Sequence, residues 1–500
     1  MHLALRNLPR TLATFSLAIL CLAAHVRLLA QAPDAPAPST PTARPQAPDA
    51  LVTDAAPADA ASPSIFHHSN STRYLILGQA NVIFQAHAPF HAPYSSTYSL
   101  LNRGEYKTSL LTTLYLGYQL NPNPRFAIDA ILDVEVSGGR GISEALGLAG
   151  FTNLDVVRNP TLGSMPYLAR YQIHQVIGLS EKLTDASRTP FSLATKLPVR
   201  RLDLHIGRMS LPDFMDINSV GTDSHLQFMN WTADNNGAWD YAANTRGYTD
   251  AAVAEYVDHS FIARYAVGFM PTIANGVELD YNLGRASGQN VELELRKGLG
   301  AFVPTFAHRN AAVRLLGFVN HANMGDYRTQ NQLFLSQRVI DPSLTAPDIT
   351  AHSLQSTVKY GVGLSFEQEL SDTVRTYGRF GWNEGQHESF AYTEVDQTFA
   401  AGADYSFKNH HRPFDKVGLT LISNAIKRDH QHYLALGGFG FLLGDGRLNY
   451  AREDIVEAYY NLHTWKGVYY ALDAQYITHP GYNKDRGPVL VESLRVHVDF

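Results

Sequence analysis

From Phe126 onward the side chains sort by parity. Phe126, Ile128, Ala130, Leu132, Val134 and Val136 take one set of alternate positions, and Asp129, Asp133, Glu135 and Ser137 take the other. An extended strand sends successive side chains to opposite faces, so this period of two constrains the fold more than any other feature of the chain. The sorting returns with Val291, Leu293 and Leu295 against Glu292, Glu294 and Arg296, and with Val456, Ala458, Tyr460 and Leu462 against Glu457, Tyr459, Asn461 and His463. Near the end Val468, Tyr470, Leu472, Ala474 and Tyr476 oppose Asp473 and Gln475, and Asp203 and His205 share a polar side by the same parity. The segment from Tyr74 (YLILGQANVIFQ) alternates less tidily. Beyond the N-terminal region no run of 18 or more uncharged apolar residues occurs, so helical membrane spans are not expected.

Two all-β architectures alternate in this way, a soluble sandwich and a closed membrane barrel. In a sandwich the polar face meets bulk water and tends toward Lys, Thr and Ser; here it carries carboxylates, Arg, Gln and aromatic groups, as a wet lumen does. The two ends of the sequence favour the barrel. Arg6 and Arg10 precede an apolar stretch from Leu12 to Ala24, a pattern that predicts a secretory signal peptide over residues 1–30, cleaved after Ala30 or Ala32. Leu20 in front of Cys21 argues against a lipid anchor. At the other end Leu494, Val496 and Val498 alternate with Ser493, Arg495, His497 and Asp499 before Phe500, the aromatic closing strand that outer-membrane proteins present to their assembly machinery.

Between them, residues 31–64 are nearly all Ala, Pro, Asp, Ser and Thr, too poor in large apolar groups to offset their ordering entropy, and a disordered periplasmic tether is expected there. Residues 65–500 would then form an all-β, transmembrane antiparallel outer-membrane β-barrel. Hydrocarbon offers a backbone no hydrogen-bond partners, so the sheet has to close on itself. Strands of about 9 to 11 residues with short turns and longer outer loops give roughly 16 to 18 strands, enough to enclose water. Outer-membrane lipid is the expected surroundings, and the oligomeric state stays open.

Composition excludes several functions. Lys and Arg total 40 against 46 Asp and Glu, with no terminal basic run, which removes nucleic acid as a partner. The single Cys21 falls in the expected signal peptide, so the exported chain has no disulfide, Cys-ligated metal or Cys nucleophile. Gly438-x-Gly440 followed by Gly444 has the wrong spacing for a dinucleotide fingerprint, and no Gly-x-Ser-x-Gly, phosphate loop or His-Glu-x-x-His occurs. No catalytic residue and no cofactor is expected, although a Ser/His pair assembled across strands would escape such a reading.

Phe228 to Tyr248 (FMNWTADNNGAWDYAANTRGY), Gly381-Trp382-Asn383-Glu384-Gly385 with Glu388, Phe390, Thr393, Asp396 and Gly402, Tyr433 to Gly446, Glu457-Ala458-Tyr459-Tyr460, and Leu472 to Ile477 followed by Pro480-Gly481 and Arg495 together resemble the OprB family of carbohydrate-selective porins. Leu472 stands where many members have proline. The likeness runs from about Ser71 onward. A branch of high-affinity manganese porins is especially similar, through Trp239 to Ala243 and the late run Asn483 to Val489. The resemblance implies passive diffusion of small carbohydrates, with divalent-ion passage, manganese included, as one alternative and a non-transport barrel, enzyme or adhesin, as another.

A sugar-preferring constriction needs flat aromatic faces flanked by groups that replace hydroxyl hydration. Asn230, Trp231, Asp234, Asn235, Trp239, Asp240, Tyr241 and Arg246 supply both kinds within a short span, which predicts an inward-folded loop or constriction strand. The competing reading assigns Trp231 and Trp239 to the interfacial aromatic belt of any such barrel. Parity places Asp129, Asp133, Glu135, Asp203, His205, Glu292, Glu294, Arg296, Glu457, Asp473, Gln475 and Arg495 on the lumen face, where each is either a selective group or a solvated wall charge. Asp429, His430 and His432, or Asp213 and Asp216, cluster enough to raise a metal site, but no resident metal is expected.

Overall fold

The structure, a computed structural model, describes residues 64–500 except 159–161, 297, 299 and 301. The expected signal peptide, and the Ala/Pro-rich segment as far as residue 63, lie outside the described residues. In chain order the strands are β1 (Tyr74–His87), β2 (Glu105–Asn121), β3 (Ile128–Gly139), β4 (Tyr167–Gly178), β5 (Leu183–Asp185), β6 (Lys196–Pro198), β7 (Arg201–Met209), β8 (Thr249–Val257) and β9 (Phe261–Phe269). They continue as β10 (Ser287–Leu295), β11 (Ala311–Met324), β12 (Leu354–Glu369), β13 (Val374–Asn383), β14 (Gln397–Ser406), β15 (Lys416–Ala425), β16 (Glu453–Trp465), β17 (Val468–Thr478) and β18 (Val489–Asp499). Sixteen of them form one closed antiparallel barrel, while β5 and β6 make a separate hairpin.

Closure runs through β1 and β18, paired from Gln79 opposite Asp499 to His87 opposite Val491. Phe500 carries the ladder one step further. Its N–H donates to Gly78 O at 2.8 Å and its carbonyl accepts from Gly78 N at 2.6 Å. The Phe500 ring lies over Gly78 so closely that a Cβ there would stand 2.3 Å from it. An aromatic ring thus covers a glycine at the seam of the sheet.

Around the wall, parity becomes sidedness. Leu132, Ile173, Leu315, Leu364, Phe380, Leu421, Leu472 and Leu494 are exposed on the outside, whereas Asp129, Asp133, Glu135, Asp203, His205, Glu292, Glu294, Glu457, Asp473, Gln475 and Arg495 are buried within. Arg296 is different. It lies one residue beyond β10, half-buried at the rim, and donates to Glu294 Oε1 at 3.1 Å. The untidy β1 keeps the same period, but its inward set mixes Leu75 and Ile83 with Gln79, Asn81 and Gln85, because the lumen beside it is filled by protein instead of water.

Connections at one end are mostly short, such as 258–260, 370–373 and 466–467; at the other they are long and carry the helices α1 (Trp231–Asp234), α2 (Tyr327–Ile340) and α3 (Arg428–Ala435). An Arg328–Asp429 ion pair at 2.8 Å ties α2 to α3. The longest connection at the short-turn end departs from expectation: residues 179–200 contain the β5–β6 hairpin. The tryptophans also divide. Trp382, edge-on to Tyr360 at 6.1 Å, and the exposed Trp465 lie on outward positions near the two ends of the barrel wall, whereas Trp231 and Trp239 are buried in residues 210–248. The belt assignment of the latter pair is therefore corrected, since both indoles are enclosed by protein.

A charge on the lipid face has no aqueous escape near mid-strand. Leu472→Arg is expected to destabilise the barrel by about 2–4 kcal/mol, read from urea unfolding in lipid vesicles, whereas Leu472→Phe leaves stability near the parent value.

Candidate functional site

Residues 210–248 leave β7 and turn into the barrel, where nearly every one is buried. A loop inside a sheet cylinder loses both ladder partners and water, so its backbone groups need other bonds. The Asn and Asp content of this stretch supplies many of them. Ser210 and Asp213 form a capping box around Pro212. Asn218 Oδ1 accepts from Val220 N at 3.0 Å and Gly221 N at 3.2 Å, Asn230 Oδ1 caps α1 by accepting from Thr232 N at 3.0 Å, and Asn236 Oδ1 accepts from Ala238 N at 3.1 Å. These are side-chain turns of the kind that Asn and Asp favour.

Wall side chains supply the rest. Glu457 accepts from Met229 N at 2.5 Å and from Asn230 N, and Asn230 Nδ2 donates to Gln475 Oε1 at 3.0 Å. Glu292 accepts from Asp216 N at 2.7 Å, and Arg379 pairs with Asp216 at 3.0 Å while also donating to Ala233 O. Arg495 donates to Ser224 O at 2.6 Å and Gln227 O at 2.9 Å. Room for the loop comes from small wall residues. At Gly381 an added Cβ would fall 1.9 Å from Asn236 Oδ1.

The motif-rich stretch after β13 closes the clamp from the long-loop end. Asp240 pairs with Lys359 at 3.2 Å and accepts from Phe390 N at 2.9 Å and Ala391 N at 2.8 Å. Asn383 Nδ2 donates to Ala238 O at 3.0 Å, Thr393 donates to Gly237 O, and Tyr392 donates to Trp231 O. Trp231 stacks on Tyr392 at 5.6 Å with its ring N–H on Asn153 O at 2.8 Å; Trp239 meets Tyr241 at 5.0 Å with its N–H on Asn290 Oδ1 at 2.8 Å.

What the loop leaves open is a cleft of about 140 Å³ against the wall of β3 and β4. Asp234, Asn235, Tyr241 and Arg246 line it from the loop; Glu135, Tyr167 and Arg170 line it from the wall, with Asp155, Asp213, His225 and Tyr248 among the other polar lining residues. The Arg246 guanidinium lies over the Tyr167 ring at 3.8 Å. Tyr167 and Tyr248 both donate to Glu135, the second at 2.9 Å. Arg170 makes a two-pronged contact with Asp213 at 2.6 and 2.7 Å and stands over the Tyr248 ring at 5.1 Å. Asp155 accepts from Asn81 Nδ2 at 2.6 Å and lies 3.2 Å from His225 Nε2. Burial works to raise the Asp155 carboxyl, but the His225 ring, the Asn81 amide and the Arg495 charge outweigh it and hold its pKa below the usual range.

The eight residues expected at the constriction therefore separate. Asp234, Asn235, Tyr241 and Arg246 line the cleft, whereas Asn230, Trp231, Trp239 and Asp240 are absorbed in fastening the loop. Of the wall residues, Glu135 reaches the cleft. Glu292 and Glu294 surround Arg264 at 2.7 and 2.9 Å, Arg201 pairs with Asp203 at 2.7 Å, and Asp129 lies 3.3 Å from His174.

Arg170 escaped the alternation reading for a physical reason. A bulge in the β3–β4 pairing sets Asp133 opposite Arg170 and Val134 opposite Leu168, so Ala169 is the extra residue and both it and Arg170 point inward. Tyr167 and Asp155 carried no sequence signal beyond residue type, and Tyr248 only its place at the end of the Phe228–Tyr248 stretch. The groups raised for metal binding do not converge either. Asp213 serves Arg170, Asp216 serves Arg379 and Asp429 serves Arg328, while His430 lies 3.8 Å from Glu394 and 3.6 Å from Asp396.

Residues 133–500 match the model of a family described as carbohydrate-selective porin, OprB family. Among solved structures the chain is similar to OprB of Pseudomonas putida in its high-pH structure, with 15% identity, a TM-score of 0.61, and coverage of 85% of this chain and 94% of that one. It is also similar to the outer membrane channel DcaP of Acinetobacter baumannii, with 8% identity, a TM-score of 0.45 and coverage of 85% and 97%. Salmonella typhi OmpF gives 8% identity, a TM-score of 0.45 and coverage of 86% and 98%. No curated protein sequence matches the chain.

Removing Asp240 leaves Lys359 buried without its ion-pair partner and removes the bonds that Phe390 N and Ala391 N make to the loop. Asp240→Ala is expected to cost about 3–5 kcal/mol, seen as a lower temperature at which the folded band converts on SDS gels, whereas Asn235→Ala at the open cleft leaves that temperature near the parent value.

Proposed function

From the premise that this chain belongs to the OprB family of carbohydrate-selective porins, we propose that the cleft between loop 210–248 and the β3–β4 wall is the passage by which small carbohydrates cross the bacterial outer membrane. The protein is an outer-membrane porin, and the observation that carries the assignment of the passage is the loop itself. It occupies the barrel interior and leaves, beside one stretch of wall, an opening lined by tyrosines and mixed hydrogen-bonding groups.

Those groups suit a hydrated polyol. Tyr241, Tyr167 and Tyr248 bring aromatic carbon against sugar C–H groups, while Arg246, Asp234 and the Asn235 amide exchange for hydroxyl hydration. Passage needs interactions that are numerous and individually weak, since a solute held tightly does not leave. No step forms or breaks a covalent bond, so this reading makes the protein a diffusion channel with no catalysis. Divalent-ion passage gains no support. Among the described residues no three His, Asp or Glu side chains are grouped to hold a metal ion.

In proteoliposomes, swelling in glucose should clearly exceed swelling in a size-matched zwitterion; equal rates would reduce the protein to a general pore. Arg246→Gln removes one charged hydrogen-bonding group at the cleft, worth about 1 kcal/mol, and is expected to lower the glucose rate by roughly fivefold. Cleft carboxylates Glu135, Asp155, Asp213 and Asp234 outnumber Arg170 and Arg246, so the reversal potential in a KCl gradient should report a cation preference. Asp234→Asn weakens that preference and Arg246→Gln strengthens it.

A further inference from the structure

The connection 179–200 at the short-turn end does more than join β4 to β7. Its hairpin base packs Ala194 and Leu197 against Ala127 and Val176, and its tip then enters the barrel. Leu193 N donates to the inward carboxylate of Asp129 at 3.0 Å, and the Leu193 side chain lies against Gly117 of β2, where an added Cβ would stand 2.7 Å from it. Beyond this point Phe191, almost wholly enclosed, reaches the loop that descends from the opposite end. Its ring meets Phe214 edge-on at 6.0 Å and lies 5.3 Å from the guanidinium of Arg170.

Two aromatic rings thus lie close to the Arg170 guanidinium. Tyr248, a cleft residue, covers one side of the guanidinium and Phe191 lies at a similar distance, with Asp213 holding the guanidinium edge. We infer that segment 186–195 is a second selectivity element of the channel, which sets Phe191 beneath Arg170 as the floor of the cleft and narrows the route by which a solute leaves on the periplasmic side. The inference rests on the cleft being the passage, and short turns mark the periplasmic end in such barrels.

The tip is built to hold its place. Thr189 Oγ1 accepts from Phe191 N at 3.2 Å and Ser192 N at 3.1 Å, which fixes the turn that presents the ring. Arg188 donates to Ser69 O at 2.6 Å and Tyr74 O at 2.9 Å, tying the hairpin to the start of β1 and the chain just ahead of it. An aromatic floor also fits the chemistry above it. A ring offers no competing hydrogen-bond acceptor to the guanidinium, so Arg170 stays directed at Asp213 and the cleft.

Planar-bilayer and liposome measurements on the full chain separate the possibilities. Phe191→Ala is expected to raise single-channel KCl conductance about twofold or more and to admit the trisaccharide raffinose, with ion preference unchanged because no charge is removed. Phe191→Trp should lower conductance and glucose swelling, which keeps the test decisive even if the alanine variant folds poorly. Both variants behaving like the parent, while Arg246→Gln still slows glucose, would overturn the floor and leave the cleft standing. If Arg246→Gln also has no effect, the passage itself is misplaced and the floor falls with it.

Discussion

Backbone amides in hydrocarbon have no partner except another strand, and the whole molecule follows from that requirement. The ladder between β1 and β18, carried on by Gly78 and Phe500, removes the two edges the barrel sheet would otherwise have. Sixteen strands then enclose more volume than wall side chains alone can fill, which is why such cylinders hold water or protein. Here it is largely protein. Loop 210–248 comes in from one end and segment 186–195 from the other, and they meet at Phe214 and Phe191.

Filling a cylinder with loops transfers the hydrogen-bonding problem inward. The wall answers it with charge: Glu457 and Glu292 accept backbone N–H groups, and Arg379 and Arg495 donate to backbone carbonyls. Charge-assisted bonds of this kind are shorter and stronger than neutral ones. The inward carboxylates and arginines that look, in sequence, like a field across an open bore are therefore mostly fastenings. Arg264 among Glu255, Glu292 and Glu294 shows the pattern, a cation enclosed by its counter-ions with nothing left to offer a solute. On the proposed reading, selectivity falls to the few groups that line the cleft.

The candidate site was half legible for the same reason. Residue type and clustering singled out the stretch from Asn230 to Arg246, because a segment dense in Asn, Asp and aromatics suits both a wet constriction and a loop that must satisfy its own backbone. Those two roles use the same residues, and only contacts tell them apart: Trp239 reaches Asn290 and Asp240 reaches Lys359, while Tyr241 and Arg246 face the cleft. Arg170 was illegible because one extra residue, Ala169, reverses parity at a bulge. The inward turn of segment 186–195 was illegible as well, since Phe191 and Leu193 read as an ordinary apolar pair in a connection.

By itself the sequence determined the sidedness of the wall and the antiparallel barrel that follows, because a strand's period of two is local and needs no partner to be read. It determined the family as well, through motifs at Gly381–Gly385 and Leu472–Ile477 whose order along the chain is sufficient. Tertiary structure alone decided which polar groups border the cleft, since that depends on residues such as Asp155, Arg170 and Arg246 that lie far apart in the chain and come together only once the cylinder has closed and been filled.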